Sequence, residues 1–143
     1  MIYEVAPPNF APKYEVVGCF CESRGKILLL HRLKQKLHGG KWGAPAGKVN
    51  QKESVQEAMI RELQEETGIG GANLPIEYRR KDFVRYPDCD FVYHIFSLTF
   101  PKEPAIRLSP SEHQDFKWVE PGQALGMDLV PDHYECIKML CHI

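Results

Sequence analysis

Three glutamates near the end of one predicted helix carry the clearest chemistry in this sequence of 143 residues. Successive helical residues are rotated by about 100°, so Glu62 and Glu66 project from one face and Glu65 lies on the same edge. Like charges at this spacing destabilise a helix, and the helix dipole favours cations in the last turn. A hard divalent cation, Mg²⁺ or Mn²⁺, would remove this conflict because it selects carboxylate oxygens. Taken alone, however, such glutamates are more often a solvated acidic face.

The segment before this helix favours phosphate binding. Residues 32–52 are rich in glycine and show little apolar periodicity, which is typical of a long functional loop. From Arg32 to Arg61 seven basic residues face only two acidic ones, Glu53 and Glu57. The basic residues are Arg32, Lys34, Lys36, Lys41, Lys48, Lys52 and Arg61. Loop N–H groups and lysines can contact phosphate oxygens while the glutamates hold a metal ion.

The helix that carries the glutamates has clear start and stop signals. Ser54 and Glu57 have the spacing of a capping box, which satisfies exposed N–H groups at a helix start. Apolar residues recur at steps of three and four from Val55 onward, and Gly68 is placed as the C-terminal stop. We therefore predict an amphipathic helix from Val55 to the residue before Gly68.

The remaining pattern predicts strands on both sides of that helix. Tyr14–Phe20 and Lys26–His31 flank the turn Arg24-Gly25 and predict a hairpin. Further strands are predicted at Ile76–Tyr86, Phe91–Phe100 and Phe116–Val119, and a terminal helix at Asp132–Leu140. The order of elements predicts an α/β or α+β fold in which a mixed sheet is flanked by helices.

Composition bounds the class of protein. A chain with 43% hydrophobic and 26% charged residues is typical of one globular domain, which we expect to span residues 1–143 after an extended, proline-containing lead-in at 1–13. The net charge of −1 argues against a protein that coats nucleic acid.

The longest aliphatic run, Ile27–Leu30, is far too short to cross a membrane. No secretory signal is apparent, and five cysteines without a C-x-x-C pair indicate reduced thiols, so we expect a cytoplasmic protein.

The residues from Gly47 to Ile69 resemble the Nudix box, G-x5-E-x7-R-E-U-x-E-E-x-G-U, in which U is a bulky aliphatic residue. Nine constrained positions are all met at the required spacing, so a chance match is very improbable. They are Gly47, Glu53, Arg61, Glu62, Leu63, Glu65, Glu66, Gly68 and Ile69. The resemblance implies a Nudix-type α/β/α sandwich, with the mixed sheet between helices.

The resemblance also implies roles for individual residues. Glu62, Glu65 and Glu66 match the metal-binding glutamates, and the Ala46 carbonyl matches a backbone ligand that precedes the box glycine. Arg61 matches the arginine that holds the glutamates, and Glu53 matches a glutamate that supports the helix and loop. We also assign Gly47 and Lys48 to the substrate-binding loop. Many members have Gly-Gly where this chain has Ala46-Gly47, and Ala-Gly is familiar among members that act on ADP-ribose.

Two glutamates are candidates for the general base. Relatives use either a glutamate of the box or one on a distant loop, and our candidates are Glu62 first and Glu112 second. Glu112 resembles a loop glutamate that MutT-like members place before a strand tryptophan, here Trp118. It is equally compatible with an ordinary surface acid.

The family resemblance implies a hydrolase that cleaves a nucleoside diphosphate linked to another group, with Mg²⁺ or Mn²⁺ as cofactor. A short chain favours a MutT-like enzyme that cleaves a (deoxy)nucleoside triphosphate to monophosphate and pyrophosphate. The alternatives are an ADP-ribose or nucleotide-sugar pyrophosphatase and a catalytically silent nucleotide-binding module. The expected partner is a small nucleotide, neither a nucleic acid polymer nor a membrane, and the resemblance leaves room for a homodimer.

Overall fold

The computed structural model describes residues 1–71 and 73–143, which form eight strands and three helices. The strands are β1 (Ile2–Tyr3), β2 (Pro12–Ser23), β3 (Lys26–Arg32), β4 (Trp42–Gly43), β5 (Ala46–Lys48), β6 (Glu77–Arg85), β7 (Asp90–Phe100) and β8 (His113–Val119). The helices are α1 (Val55–Thr67), α2 (Pro121–Ala124) and α3 (His133–Cys141). No helix within the described residues has both the length and the apolar character needed to cross a membrane.

The sheet is mixed because its two longest strands run parallel. β2 and β7 pair in parallel from Tyr14 opposite Phe91 to Ser23 opposite Phe100. β6 pairs antiparallel with β7, and β1 adds to the outer edge of β6. On the other side, β5 pairs with β2, and β8 pairs antiparallel with β3. Parallel pairing aligns the early part of β2 with the early part of β7, although the two are far apart in sequence.

The predicted hairpin forms, but its two strands separate soon after the turn. Arg24 and Gly25 both have positive φ, at 52° and 79°, as expected for a tight two-residue hairpin turn. Only two residue pairs, Glu22 with Ile27 and Ser23 with Lys26, join β2 to β3. β2 then continues along β7 while β3 continues along β8. The space between the diverging strands is where β5 enters and pairs with β2.

Helices cover both faces of the sheet, which confirms the α/β/α sandwich. Side chains alternate across each strand, so one face of β2 presents Val17 and Cys19 while the other presents Phe20. Met59 and Leu63 of α1 pack in the first cluster, and Ile137 of α3 packs in the second. Burial of these two apolar faces fixes α1 and α3 on opposite sides of the sheet.

Helix α1 begins and ends as its sequence predicts. The Ser54 hydroxyl accepts a hydrogen bond from the Glu57 N–H at 3.0 Å, and the Glu57 carboxylate accepts one from the Ser54 N–H at 2.9 Å. Gly68 adopts a left-handed conformation with φ of 76°, and its N–H donates to the Gln64 carbonyl at 3.1 Å. These two caps hold the glutamates of the last turns at a defined position in the fold.

The differences from the prediction involve very short elements and strand boundaries; β8, for example, begins at His113 and not at Phe116. The N-terminal lead-in is not wholly without regular structure, because Ile2–Tyr3 pairs with β6 and β2 already begins at Pro12. The glycine-rich loop contains two short strands, Trp42–Gly43 and Ala46–Lys48, and Pro121–Ala124 forms an additional helical turn. Elements of two to four residues show no periodicity of their own, so their formation depends on pairing and packing with distant segments.

Candidate active site

Seven of the nine predicted site residues line one cavity of about 650 Å³, here called the glutamate cavity. The other two, Glu53 and Arg61, are bonded to each other behind it. Its lining comprises Arg32, Ala46, Gly47, Lys48, Glu62, Glu65, Glu66, Ser109 and Glu112. β5 supplies one side, the last turns of α1 supply another, and the loop before β8 supplies Ser109 and Glu112. Arg32 and Ser109 were not predicted as site residues; Arg32 carried only the general signal of a basic loop.

Arg61 is the hub of the ion pairs behind this cavity. Its guanidinium donates to both oxygens of Glu53, at 2.7 and 3.0 Å, to Glu62 at 2.8 Å and to Glu65 at 3.3 Å. A further N–H donates to the Lys48 carbonyl at 3.0 Å and so ties α1 to β5. The hydrogen bonds with Arg61, followed by one from the Asn50 N–H, lower the pKa of Glu53 to about 2. Arg61 and Glu53 thus form a permanently charged pair that positions both the helix and the loop.

Glu66 is the most buried of the three glutamates, with only 6% of its surface exposed. Burial raises its pKa well above the usual value, and the hydrogen bond and charge of Glu62 raise it further. The Ala46 N–H, which donates to Glu66 Oε1 at 3.2 Å, opposes this shift. A neighbouring negative charge disfavours the ionised form of a buried carboxyl group, and a bound cation removes that penalty. The pair therefore has the electrostatic character of a cation site.

Gly47 brings the backbone of β5 against the carboxylate of Glu62. A Cβ atom at position 47 would lie 2.1 Å from Glu62 Cδ and 2.3 Å from Glu62 Oε1, so any larger residue would displace that carboxylate. The box glycine is therefore required by a close approach rather than by an unusual φ. It also leaves the neighbouring Ala46 beside Glu66 at the cavity wall.

The donor set fits a hard cation in its chemistry, although Glu62 and Glu65 are bonded to Arg61. Glu62, Glu66 and Ala46 all line one cavity, and carboxylate and carbonyl oxygens are the ligands that a hard cation selects. Within residues 1–71 and 73–143, no three His, Cys, Asp or Glu side chains are arranged to contact one ion simultaneously. Glu65 is largely exposed and turned toward Arg61. Ion binding would thus require rotation of glutamate side chains, while the backbone that carries them stays in place.

Glu112 reaches the same cavity from a distant part of the chain. Its carbonyl accepts a hydrogen bond from the Leu33 N–H at 3.1 Å, which joins its loop to the end of β3. Its carboxylate lies 3.9 Å from Lys36 Nζ, and its charge contributes to the raised pKa of Glu66. The structure therefore brings both base candidates, Glu62 and Glu112, to one cavity.

A second cavity of about 290 Å³, here called the aromatic cavity, adjoins the first. The two share Arg32, Ala46, Gly47 and Lys48. Tyr14 and Phe91 stack in parallel within it, with ring centroids 5.4 Å apart, and the Lys48 ammonium lies 4.2 Å from the Tyr14 centroid. Further lining comes from Tyr86, Tyr93 and the segment from Val130 to His133. Motif spacing could not indicate this cavity, because its residues come from five separate segments.

Comparison with known proteins agrees with this geometry. The NUDIX domain family model matches residues 12–140. The chain is 46% identical over 119 residues to the Nudix hydrolase YvcI of Bacillus subtilis, covering 81% of this chain and 72% of that protein. It is 34% identical over 119 residues to the CTP pyrophosphohydrolase of Escherichia coli K12, covering 82% and 83%.

A solved structure shows the same fold. The MutT protein from Methanosarcina mazei Go1 superimposes with a TM-score of 0.79 at 26% identity, covering 92% of this chain and 94% of that one. The complete box, the sandwich around it and the match over most of the chain lead to one conclusion. This chain belongs to the Nudix hydrolase family and is a pyrophosphohydrolase that acts on phosphoric anhydride bonds of nucleotide-like substrates.

Proposed function

We propose that this enzyme uses Mg²⁺ or Mn²⁺ to cleave a (deoxy)nucleoside triphosphate to the monophosphate and pyrophosphate. The observation that carries the proposal is the continuity of the glutamate and aromatic cavities through Arg32, Ala46, Gly47 and Lys48. A nucleoside in the aromatic cavity would place its phosphate chain beside the carboxylates. Phosphate oxygens and carboxylates can be neighbours only where cations separate them, and this site offers both basic side chains and cation ligands.

The residues divide into cation ligands and positioning residues. Glu62, Glu65, Glu66 and the Ala46 carbonyl would hold the cation, which when bound neutralises phosphate charge and makes water more acidic. Arg61, through its bonds to Glu53 and Glu62, orients these ligands. Arg61 therefore acts through the glutamates and not on the substrate itself.

Two basic residues are placed to contact the phosphate chain. Arg32 and Lys48 line both cavities. They therefore lie at the junction where the phosphate chain would be attached to the nucleoside. The Arg32 Nε–H donates to the Leu37 carbonyl at 2.7 Å, which fixes the direction of the guanidinium. A fixed guanidinium can donate two parallel hydrogen bonds to a phosphate group. Arg32 is thus a candidate for binding the phosphate next to the nucleoside.

The chemical step needs one water molecule and one base. Water attacks a phosphorus atom of the anhydride, one P–O bond breaks, and the water proton passes to a carboxylate. Glu62 lies at the buried side of the cavity and accepts a hydrogen bond from Arg61 at 2.8 Å. Glu112 lies across the cavity, on the loop before β8, and its carboxylate is 3.9 Å from the Lys36 ammonium. Both remain base candidates, with Glu62 first.

A substrate panel tests the proposal directly. We would incubate the protein with nucleoside triphosphates, ADP-ribose, a nucleotide sugar and a dinucleoside polyphosphate, with Mg²⁺, with Mn²⁺ and with EDTA, and separate the products by chromatography. The proposal expects equal amounts of monophosphate and pyrophosphate from a triphosphate, only with a metal ion. A higher kcat/KM for ADP-ribose or a nucleotide sugar would contradict the triphosphate assignment. Tight nucleotide binding without turnover of any substrate would indicate a binding module instead.

A further inference from the structure

Three residues that line the aromatic cavity carry buried polar atoms without a hydrogen-bond partner among the described residues. Among the described residues, six buried side-chain oxygen or nitrogen atoms lack a partner, and three of these belong to residues that line this cavity. They are Tyr93 Oη, Asp132 Oδ2 and His133 Nε2. Buried polar atoms are almost always hydrogen-bonded in native proteins, so a cluster of exceptions around one cavity requires a reason. A ligand that supplies the missing bonds is such a reason.

Asp132 offers an acceptor at Oδ2, which has no hydrogen-bond partner among the described residues. Its side chain also interacts with the Tyr86 hydroxyl, and this interaction, after burial, raises the pKa of Tyr86. The Asp132 Oδ2 lies 3.7 Å from the Met1 ammonium, too far for a hydrogen bond, and that ammonium donates instead to the Arg85 carbonyl at 2.6 Å. Asp132 is held in place at the start of α3 by a left-handed backbone with φ of 70°. An ionised carboxylate accepts only, so its partner must carry an N–H or O–H group.

His133 supplies a second acceptor from the adjacent residue. Burial lowers its pKa to about 4, against the opposing effect of a hydrogen bond to the Pro131 backbone, so the ring is neutral near pH 7. The ring nitrogen that is bonded to a backbone carbonyl carries the proton, and Nε2, which has no partner, is left as an acceptor. A Cβ on Gly43 would lie 3.3 Å from Nε2, so glycine at this position leaves room around the nitrogen.

Tyr93 supplies a hydroxyl group that can donate. Its side chain is almost fully buried, and its oxygen lies over Gly18, where a Cβ would approach within 2.3 Å. Burial raises the pKa of this hydroxyl well above its usual value, so it stays protonated. The cavity therefore combines two acceptors, from consecutive residues, with one donor.

We propose, on the basis of the function proposed above, that the aromatic cavity selects a nucleobase with an exocyclic amino group beside an unprotonated ring nitrogen, the edge that cytosine and adenine share. The amino group has two hydrogens for the two acceptors, Asp132 and His133, and the ring nitrogen accepts from Tyr93. In uracil and hypoxanthine a carbonyl oxygen replaces the amino group and would face acceptors only. Asp132 is the specificity-determining residue, because a negatively charged carboxylate repels a carbonyl oxygen more strongly than the neutral His133 does.

Matched substrate pairs isolate this contact. CTP and UTP, and likewise ATP and ITP, differ only at the amino or carbonyl group and the adjoining ring nitrogen. We would measure kcat/KM for all four with the wild-type protein, Asp132→Asn and a control, Asp128→Asn, which lies in the same loop but outside the cavity. Asparagine adopts the left-handed conformation readily, so Asp132→Asn preserves the backbone. Tyr93→Phe removes the donor and provides a second, independent variant.

The wild-type protein should prefer the amino member of at least one pair by about 10- to 100-fold, the discrimination expected from a base-edge hydrogen-bond pair. The pair that shows the preference identifies cytosine or adenine as the base. Asp132→Asn should reduce the ratio about tenfold or more, because an amide can donate to a carbonyl as well as accept. Tyr93→Phe should lower kcat/KM for the amino member, and Asp128→Asn should keep the wild-type ratio.

The inference is overturned if both wild-type ratios are near one, or if Asp132→Asn and Tyr93→Phe both leave them unchanged. If the wild-type protein hydrolyses none of the four triphosphates, the proposed function fails. The base preference can then be tested separately, by measuring the binding of nucleoside monophosphates. Calorimetric titration with CMP, UMP, AMP and IMP should show tighter binding of an amino member. Equal or undetectable binding of all four monophosphates would overturn it.

Discussion

At the scale of single residues, the site depends on charges that are brought together against their mutual repulsion. Arg61 compensates part of this repulsion by bonding to Glu53, Glu62 and Glu65 at once. Glu66 lies outside that network, and its carboxyl group is buried against Glu62 and the Ala46 N–H. Arg61 thus stabilises three of the four carboxylates. The fourth, Glu66, can be neutralised only by protonation or by a bound cation.

Replacing Glu66 with glutamine should separate activity from stability. The neutral amide resembles the protonated carboxyl group that burial favours, so the melting temperature should stay the same or rise. If Glu66 is a cation ligand, as proposed, its loss should lower kcat by at least about 100-fold. Thermal unfolding and Mg²⁺-dependent turnover measure the two effects, with the exposed Glu103→Gln as control. Full metal-dependent activity in Glu66→Gln would refute the ligand assignment.

Replacing Gly47 with alanine tests the close approach of β5 to the helix. The added Cβ would overlap Glu62 Cδ at 2.1 Å, so the carboxylate must move. Because a displacement of about 1 Å can cost about 100-fold in rate, we expect kcat/KM to fall by that order. Gly122→Ala is the matched control, since a Cβ added at that position would have no atom within 4 Å. Equal activity of the two variants would show that the Glu62 position is unimportant.

At the scale of elements, α1 is a rigid carrier of the site because both of its ends are fixed. The capping box at Ser54 sets where the helix begins, and the left-handed Gly68 sets where it ends. The Arg107 N–H donates to the Thr67 carbonyl at 2.8 Å and so satisfies a carbonyl in the last turn. The helix lacks basic residues in that turn, which leaves its negative dipole end uncompensated beside the glutamates.

Removing the N-cap of α1 should therefore lower the stability of the fold more than the rate of turnover. Ser54→Ala loses the hydrogen bond to the Glu57 N–H and should lower the free energy of unfolding by about 1 kcal/mol. Turnover at room temperature should change little, because the glutamates lie two to three turns away. Denaturant titration of Ser54→Ala and of the exposed loop variant Ser111→Ala measures the difference. A loss of activity in the still-folded Ser54→Ala protein would contradict this separation.

At the scale of the whole molecule, two buried histidines couple stability to pH. Burial lowers the pKa of His113 to about 4, with the nearby Arg32 adding to the shift, and burial likewise lowers that of His133 to about 4. In the unfolded chain each has a pKa near 6.5. Between these values the unfolded state binds more protons than the folded state, so acid favours unfolding.

The contribution of the two histidines to the free energy of unfolding should therefore fall as the pH decreases from about 6.5 to 4, by about 1–3 kcal/mol for each. The raised pKa of Glu66 acts in the opposite direction, so the comparison with a histidine variant isolates the histidine contribution. Above pH 7 both histidines are neutral in both states, and this dependence should disappear. Urea unfolding at several pH values measures the slope, and His113→Gln should reduce it. A slope that is identical in His113→Gln would show that this histidine does not contribute.

The element that carries the box was determined by local sequence. Ser54, Glu57 and Gly68 specify the ends of α1 through contacts within a few residues, and helical periodicity fixes which side chains share a face. The positions of Glu62, Glu65 and Glu66 on one edge follow directly. The β2–β3 turn at Arg24-Gly25 was predictable for the same reason, since its signal lies in adjacent residues.

The aromatic cavity and the place of Glu112 were decided by the tertiary structure alone. Tyr14 meets Phe91 because β2 and β7 pair in parallel, and Asp132 and His133 complete the cavity only after α3 packs on the sheet. Register between distant strands depends on the combined burial of many side chains and leaves no local pattern. Local spacing could thus assign the reaction, whereas the contacts that select a substrate required the folded chain.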